Sequence, residues 1–126
     1  MIESLGTDLI EIHRIKKARE RWGKRFLERV YTSRELKYCL IKKYPDNSLA
    51  GRFAAKEAVM KALGTGLSSG VSWKEIEIIN DVKGKPEVKV YGKTKNLLDK
   101  RKILISISHT KENAIAQVVI IKQYRA

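Results

Sequence analysis

Three scattered groups of side chains carry chemistry when taken together: Asp8, the pair Glu57 and Lys61, and the run Ser108-His109-Thr110. The chain has a single cysteine and two histidines, so a structural zinc site lacks its ligands. Two carboxylates favour a hard, oxygen-seeking cation instead. Mg²⁺ takes one or two carboxylates and completes its octahedron with phosphate oxygens and water. Many bases beside such an ion suggest a pyrophosphate ligand and phosphoryl-type chemistry. Residue types alone also admit a Ser-His-Asp triad, although no nucleophile elbow is present.

The element that must carry Glu57 and Lys61 is an Ala-rich, Pro-free stretch with a helical pattern, expected from a cap near Ser48 to a stop at Gly64. At 3.6 residues per turn its apolar side chains, Leu49, Phe53, Ala54, Ala55, Ala58, Val59, Met60, Ala62 and Leu63, point almost all the way round. That pattern belongs to a helix covered on most sides. Yet Arg52 and Lys56 fall on one line and Glu57 and Lys61 on another. Charges on an enclosed helix must be paired, bind a ligand or hold a metal. Taken alone, the stretch reads as a Glu57–Lys61 surface pair with two snorkelling bases. Gly64-Thr-Gly66 follows this helix instead of preceding one, so it reads as chain reversal and not as a phosphate loop.

Asp8 lies in a strand pattern spanning Ile2 to Ile12, where Gly6 lets another backbone or a ligand come close. A plainer task for Asp8 is capping the next helix. That helix runs from His13 to Trp22 with Gly23 as its C-cap. Thr32-Ser-Arg-Glu35 is a capping box opening a helix that must end before Pro45, and Asp46-Asn47-Ser48 is a turn. Further on, Val71–Ile79 reads as a strand, Asp81–Pro86 as a turn, and Glu87–Tyr91 as a half-exposed strand. Lys93–Lys102 reads as a short charged helix. Ile103–Ser108 and Ala114–Ile121 form a hairpin through His109–Asn113 near the sheet centre. The sum is an α+β domain over residues 1–126, helices first and mostly antiparallel strands later.

At 126 residues the chain is expected to form one domain. Its net charge of +13 demands an anionic partner: nucleic acid, an anionic membrane surface, an acidic protein or a phosphorylated small molecule. Eight Lys/Arg against two Glu between Arg14 and Arg29 make that stretch the best docking surface. The lone Cys39 excludes an internal disulfide and reads as space-filling. With no signal-like N-terminus and no long apolar run, the expected location is the cytoplasm, without membrane association.

Three blocks then resemble a known family in order and spacing: Gly6-Thr-Asp8 through Arg14-Ile15, Gly51-Arg-Phe through Gly64-Thr-Gly66, and Ser106-Ile-Ser-His109 through Ala114. The family is the holo-(acyl-carrier-protein) synthases, and the resemblance covers the chain from Met1 almost to its end. It implies the 4′-phosphopantetheinyl transferase fold and a Mg²⁺-dependent enzyme that moves phosphopantetheine from coenzyme A to a serine of apo acyl carrier protein. Adenosine 3′,5′-bisphosphate is released. By match to the motifs, Asp8 and Glu57 hold Mg²⁺ against the coenzyme A pyrophosphate, and Lys61 reaches the same phosphates. Arg52, Lys56, His109 and Thr110 are implied as phosphate or nucleotide contacts, and Gly84, Lys85 and Pro86 match a loop near the nucleotide. His109 is otherwise an ordinary hairpin histidine. The base that takes the serine proton stays open between an acidic side chain and a metal-bound water.

The resemblance also accounts for the charge, because acyl carrier proteins are strongly acidic. Arg14, Arg21, Lys24 and Arg25 match the carrier-docking helix, where complementary fields speed encounter and fix orientation. Short members of the family form trimers with sites between subunits, so a homotrimer is implied. Under this reading the Glu57–Lys61 surface pair becomes the lesser interpretation. The alternative that charge alone would favour, a small basic nucleic-acid-binding protein, has only 7% aromatic residues and no recognition motif behind it.

Overall fold

A computed structural model of the chain describes residues 1–64 and 71–122. Strand β1 (Ile2–Glu11) leads into four helices: α1 (Ile12–Trp22), α2 (Lys24–Val30), α3 (Ser33–Leu40) and α4 (Pro45–Leu63). A 3-10 turn (Trp73–Glu75), β2 (Ile76–Asn80), β3 (Pro86–Val90), α5 (Gly92–Leu98), β4 (Lys102–His109) and β5 (Asn113–Ile121) follow. The strands make two sheets, three-stranded β1-β5-β4 and two-stranded β2-β3. Every pairing is antiparallel, as the α+β reading requires, but the expected single sheet is split. Within the hairpin, β5 is the central strand and β4 an edge.

Helix α4 is the hub. Ala54, Ala55, Ala58, Val59, Met60 and Ala62 pack with Ala116, Val118 and Ile120 of β5 and with Ile76 and Ile78 of β2. A second cluster joins Leu49 and Ala50 to Ile12, Ile15, Val30, Tyr31 and Cys39. Apolar side chains all round α4 thus face core on several sides, as the pattern demands. The helix starts three residues before the expected cap. Pro45 takes the first helical position, where its missing N–H costs nothing, and Asp46 sits in the positive first turn, paired with Arg19 at 2.8 Å. Asp46-Asn47-Ser48 is therefore helix and not turn. Gly64 closes the helix in the left-handed conformation; Thr65 and Gly66 lie outside the described residues.

Thr32 and Glu35 form the full capping box of α3. Gly23 separates α1 from α2 at φ 54°. The strand expected from Val71 begins only at Ile76, because Trp73–Glu75 coils into a 3-10 turn closed by the Glu75 N–H on the Ser72 carbonyl. Likewise the helix expected to reach Lys102 stops at Leu98, and Lys102 opens β4.

Even-numbered residues of β1 from Ser4 to Ile10 face α4 and odd ones face away. Gly6 lies on the inner side, where an added Cβ would run into the Ala58 carbonyl oxygen and stand 2.9 Å from the Ala62 nitrogen. The tight approach brings Asp8, two residues on and on the same face, beside α4. No described element covers the opposite face of the sheet. Leu5 and Leu9 are 67% and 63% exposed there, and Leu104, across the register from Val119, is 43% exposed.

Candidate active site

Among the described residues, two cavities lie beside α4. The first is lined by Asp8, Leu9, Ile10, Arg14, Phe26, Phe53, Glu57 and Lys61, from β1, α1, α2 and α4. Here the Lys61 ammonium donates to Asp8 Oδ1 at 3.0 Å and to the Thr7 carbonyl at 3.0 Å. Burial, reinforced by the Asp8 charge, pushes the Glu57 carboxyl above the ordinary glutamate range, with Lys61 opposing. Two carboxylates that repel each other across a cleft create a demand for positive charge, and the Lys61 ammonium already stands on Asp8 as a partial answer. Among the described residues no group of three or more His, Cys, Asp or Glu could hold a metal. A pair of carboxylates fits an ion that draws its remaining ligands from phosphate and water, as Mg²⁺ does. Asp8 does not cap α1, whose N-cap is Glu11 without a side-chain bond.

The second cavity, about 440 Å³, is lined by Tyr38, Lys42, Lys43, Tyr44, Asn47, Ser48, Gly51, Arg52, Asn80, Gly84, Pro86, Ile107 and His109. Its size is in the range of small-molecule sites. Arg52 is buried to 6% exposure, stacks on Tyr38 with its guanidinium 4.1 Å from the ring centre, and donates to Asn80 Oδ1. Its Nε–H has no partner among the described residues. A guanidinium at a cavity also lined by two lysines and a histidine suits an anion. His109, at the end of β4, joins this wall.

One expectation fails in place. Lys56 reaches neither cavity. It is fully buried, 2.7 Å from Glu35 Oε1, and donates to the Trp73 and Ile76 carbonyls at 2.9 and 2.6 Å. Burial pulls its pKa down although the Glu35 carboxylate pushes the other way. All three ammonium donors are used inside the protein, which leaves none for a phosphate. Thr110 and Lys85 are neighbours of lining residues, Thr110 following His109 and Lys85 lying between Gly84 and Pro86. The Thr110 hydroxyl accepts the Glu112 and Asn113 N–H groups, and the Lys85 N–H is bound to Asp81 Oδ1, so both stabilise turns. Arg14, Arg21, Lys24 and Arg25 are all exposed on α1 and α2, with Arg14 also at the rim of the Asp8 cleft. Tyr38, Asn80, Lys42 and Lys43 were missed by sequence reasoning. The one usable signal was the basic-aromatic run Lys42-Lys43-Tyr44 just before Pro45.

The family model described as the 4′-phosphopantetheinyl transferase superfamily matches residues 4–119. The chain belongs to this family. It is 51% identical over 119 residues to the holo-(acyl-carrier-protein) synthase of Protochlamydia amoebophila, covering 94% of this chain and 98% of the relative. The Chlorobium limicola synthase is 49% identical, with 92% and 91% covered. Among solved structures, the Bacillus anthracis synthase in complex with coenzyme A (3′,5′-ADP) superposes with a TM-score of 0.81 at 40% identity, covering 95% and 96% of the two chains. The Neisseria meningitidis synthase reaches 0.86 at 36% identity, covering 97% and 100%. No described helix of this transferase-family chain is long and apolar enough to cross a membrane.

Proposed function

We propose that the protein is a holo-(acyl-carrier-protein) synthase. It transfers 4′-phosphopantetheine from coenzyme A to a serine hydroxyl of apo acyl carrier protein and releases adenosine 3′,5′-bisphosphate. The observation that carries this reading is the joining of Asp8, Glu57 and Lys61 in one cleft, on the far side of the helix from which Arg52 faces a basic, nucleotide-sized cavity. The synthases of Bacillus anthracis and Helicobacter pylori, each solved with coenzyme A, support the choice of donor.

Asp8 and Glu57 would hold Mg²⁺, which when bound polarises the attacked phosphorus and neutralises the departing bisphosphate. Lys61, more than half exposed beside Asp8, is free to turn from that carboxylate to a phosphate oxygen and stabilise charge in transfer. Arg52, fixed by Tyr38 and Asn80, would lend its positive charge to a phosphate of the nucleotide half, with His109, Lys42 and Lys43 around it. Gly84 and Pro86 form the opposite wall. The apolar side chains Ile10, Phe26 and Phe53 line the Asp8 cleft and suit the aliphatic pantetheine arm. The exposed bases of α1 and α2 meet the acidic carrier. The uncovered apolar face bearing Leu5, Leu9 and Leu104 supports assembly into a homotrimer.

The deciding experiment incubates the protein with coenzyme A, Mg²⁺ and apo acyl carrier protein and weighs the carrier. A gain of one phosphopantetheine, lost with EDTA, is the expected result. No gain across a range of carriers and metal concentrations would overturn the reading.

A further inference from the structure

Lys56 stands between two residues given tasks in the proposed transfer: Arg52, one turn earlier on α4, and Glu57, its immediate neighbour. Its own side chain points into the core, where the ammonium meets Glu35 of α3, the carbonyl of Trp73 and the carbonyl of Ile76. Glu35 completes the clamp. Its Oε2 accepts the Ile78 N–H at 2.9 Å, and its Oε1 accepts the Thr32 N–H at 2.9 Å. Lysine and glutamate together thus grip two backbone polar groups of β2, the Ile76 carbonyl and the Ile78 N–H. An apolar pair would pack as well, but it would not fix the register of a strand along a helix; directional bonds to its backbone do.

Two residues beyond Ile78, β2 ends at Asn80. The Asn80 side chain accepts from Arg52 and donates to the Gly84 carbonyl at 2.9 Å, in the turn that leads to Pro86. Arg52 and Lys56 lie four residues apart on one helix face, so α4 holds the strand at two points, one in the core and one at the cavity. The width of the cavity between Arg52 and the Asn80–Gly84–Pro86 wall depends on where β2 stands against α4.

We propose that the buried Glu35–Lys56 pair is a positioning device for the nucleotide half of the donor, setting the Asn80–Gly84–Pro86 wall against Arg52. Neither residue touches the substrate. The inference rests on the transferase reading above, and it predicts a selective defect. Loosening the pair weakens the grip on coenzyme A while leaving the carrier surface of α1 and α2 and the Asp8–Glu57 cleft in place.

The test is steady-state transfer by wild type, Glu35→Gln and the double variant Glu35→Leu/Lys56→Met, with thermal melts to identify folded protein. Glu35→Gln keeps the volume but replaces one acceptor oxygen by an NH2 group, so it must give up the Ile78 N–H or the Lys56 and Thr32 bonds. The double variant removes both charges without stranding one. The expected result is a KM for coenzyme A raised at least tenfold in each folded variant, with kcat and the KM for carrier within threefold of wild type. Titration with 3′,5′-ADP should weaken in parallel. Unchanged coenzyme A and 3′,5′-ADP affinities in either folded variant would overturn the inference. So would equal losses in both KM values and kcat, which mark general structural damage. Should the double variant not fold, Glu35→Gln decides alone; should that variant also not fold, the pair is a folding element and the inference falls. An inactive wild type would instead overturn the transferase reading and this inference with it, so the two failures are told apart by the control.

Discussion

Replacing either carboxylate of the Asp8–Glu57 cleft removes the negative charge that would hold Mg²⁺, so Asp8→Asn and Glu57→Gln should each reduce transfer by at least about 100-fold. The fold should survive both. Burial and the Asp8 charge already disfavour ionised Glu57, so neutralising it relieves repulsion in the metal-free protein and should not lower the melting temperature. Near-normal rates at saturating Mg²⁺ in either variant would remove that residue from the metal role. Lys56 makes the contrasting case at this scale. It shares a helix line with Arg52, yet one faces a cavity and the other a buried carboxylate. Sequence spacing shows which residues share a line but not what lies opposite it. The partners of Lys56 come from α3 and β2, and only their packing turned a nucleotide contact into an internal clamp.

Strand β2 carries a second buried acid, Glu77, which is linked to Glu35 through Thr32. Burial alone would push its carboxyl up, but hydrogen bonds from the Thr32 and Tyr91 hydroxyls, helped by Arg34 and Lys56, hold it below the ordinary range. A carboxylate whose folded pKa is depressed contributes stability that is complete above its unfolded pKa and is lost as pH falls through the folded one. Denaturant melts of wild type should therefore lose stability as pH drops below about 5. Glu77→Gln should be less stable than wild type near neutrality and show a shallower acid loss. A slope identical to wild type would mean that Glu77 is not a source of the acid sensitivity. Such effects explain why the β2 boundary was hard to read. Val71–Ile79 has strand composition throughout, but the Trp73–Glu75 turn sets the strand's start through tertiary contacts of Trp73 with Phe53 and Lys56.

For the whole molecule, the proposed function assigns the basic face of α1 and α2 to the carrier and the apolar sheet face to contact between copies. Arg14→Glu should raise the KM for carrier roughly tenfold or more while changing that for coenzyme A little, and added salt should weaken wild-type carrier binding in the same selective way. Equal changes in both KM values would take Arg14 out of the docking role. Leu5→Asp or Leu9→Asp places a charge on the uncovered sheet face, and light scattering should then find smaller particles than for wild type. An unchanged mass would place the contact between copies elsewhere, or show that wild type is already a monomer.

Much of this protein is legible in the order of its residues: the capping box at Thr32, Gly23 and Gly64 as helix stops, and the terminal hairpin. These are local signals or residue types, and short-range sterics and chemistry determine them. Tertiary structure decided the rest. It divided the strands into two sheets, drew Lys56 and Glu35 together in the core, and built the Arg52 pocket from Tyr38, Asn80 and Gly84. The reason is physical. A side chain's donors and charges are committed by whatever packs against them, and that neighbour is set by burial of apolar surface across the whole chain, not by spacing along it.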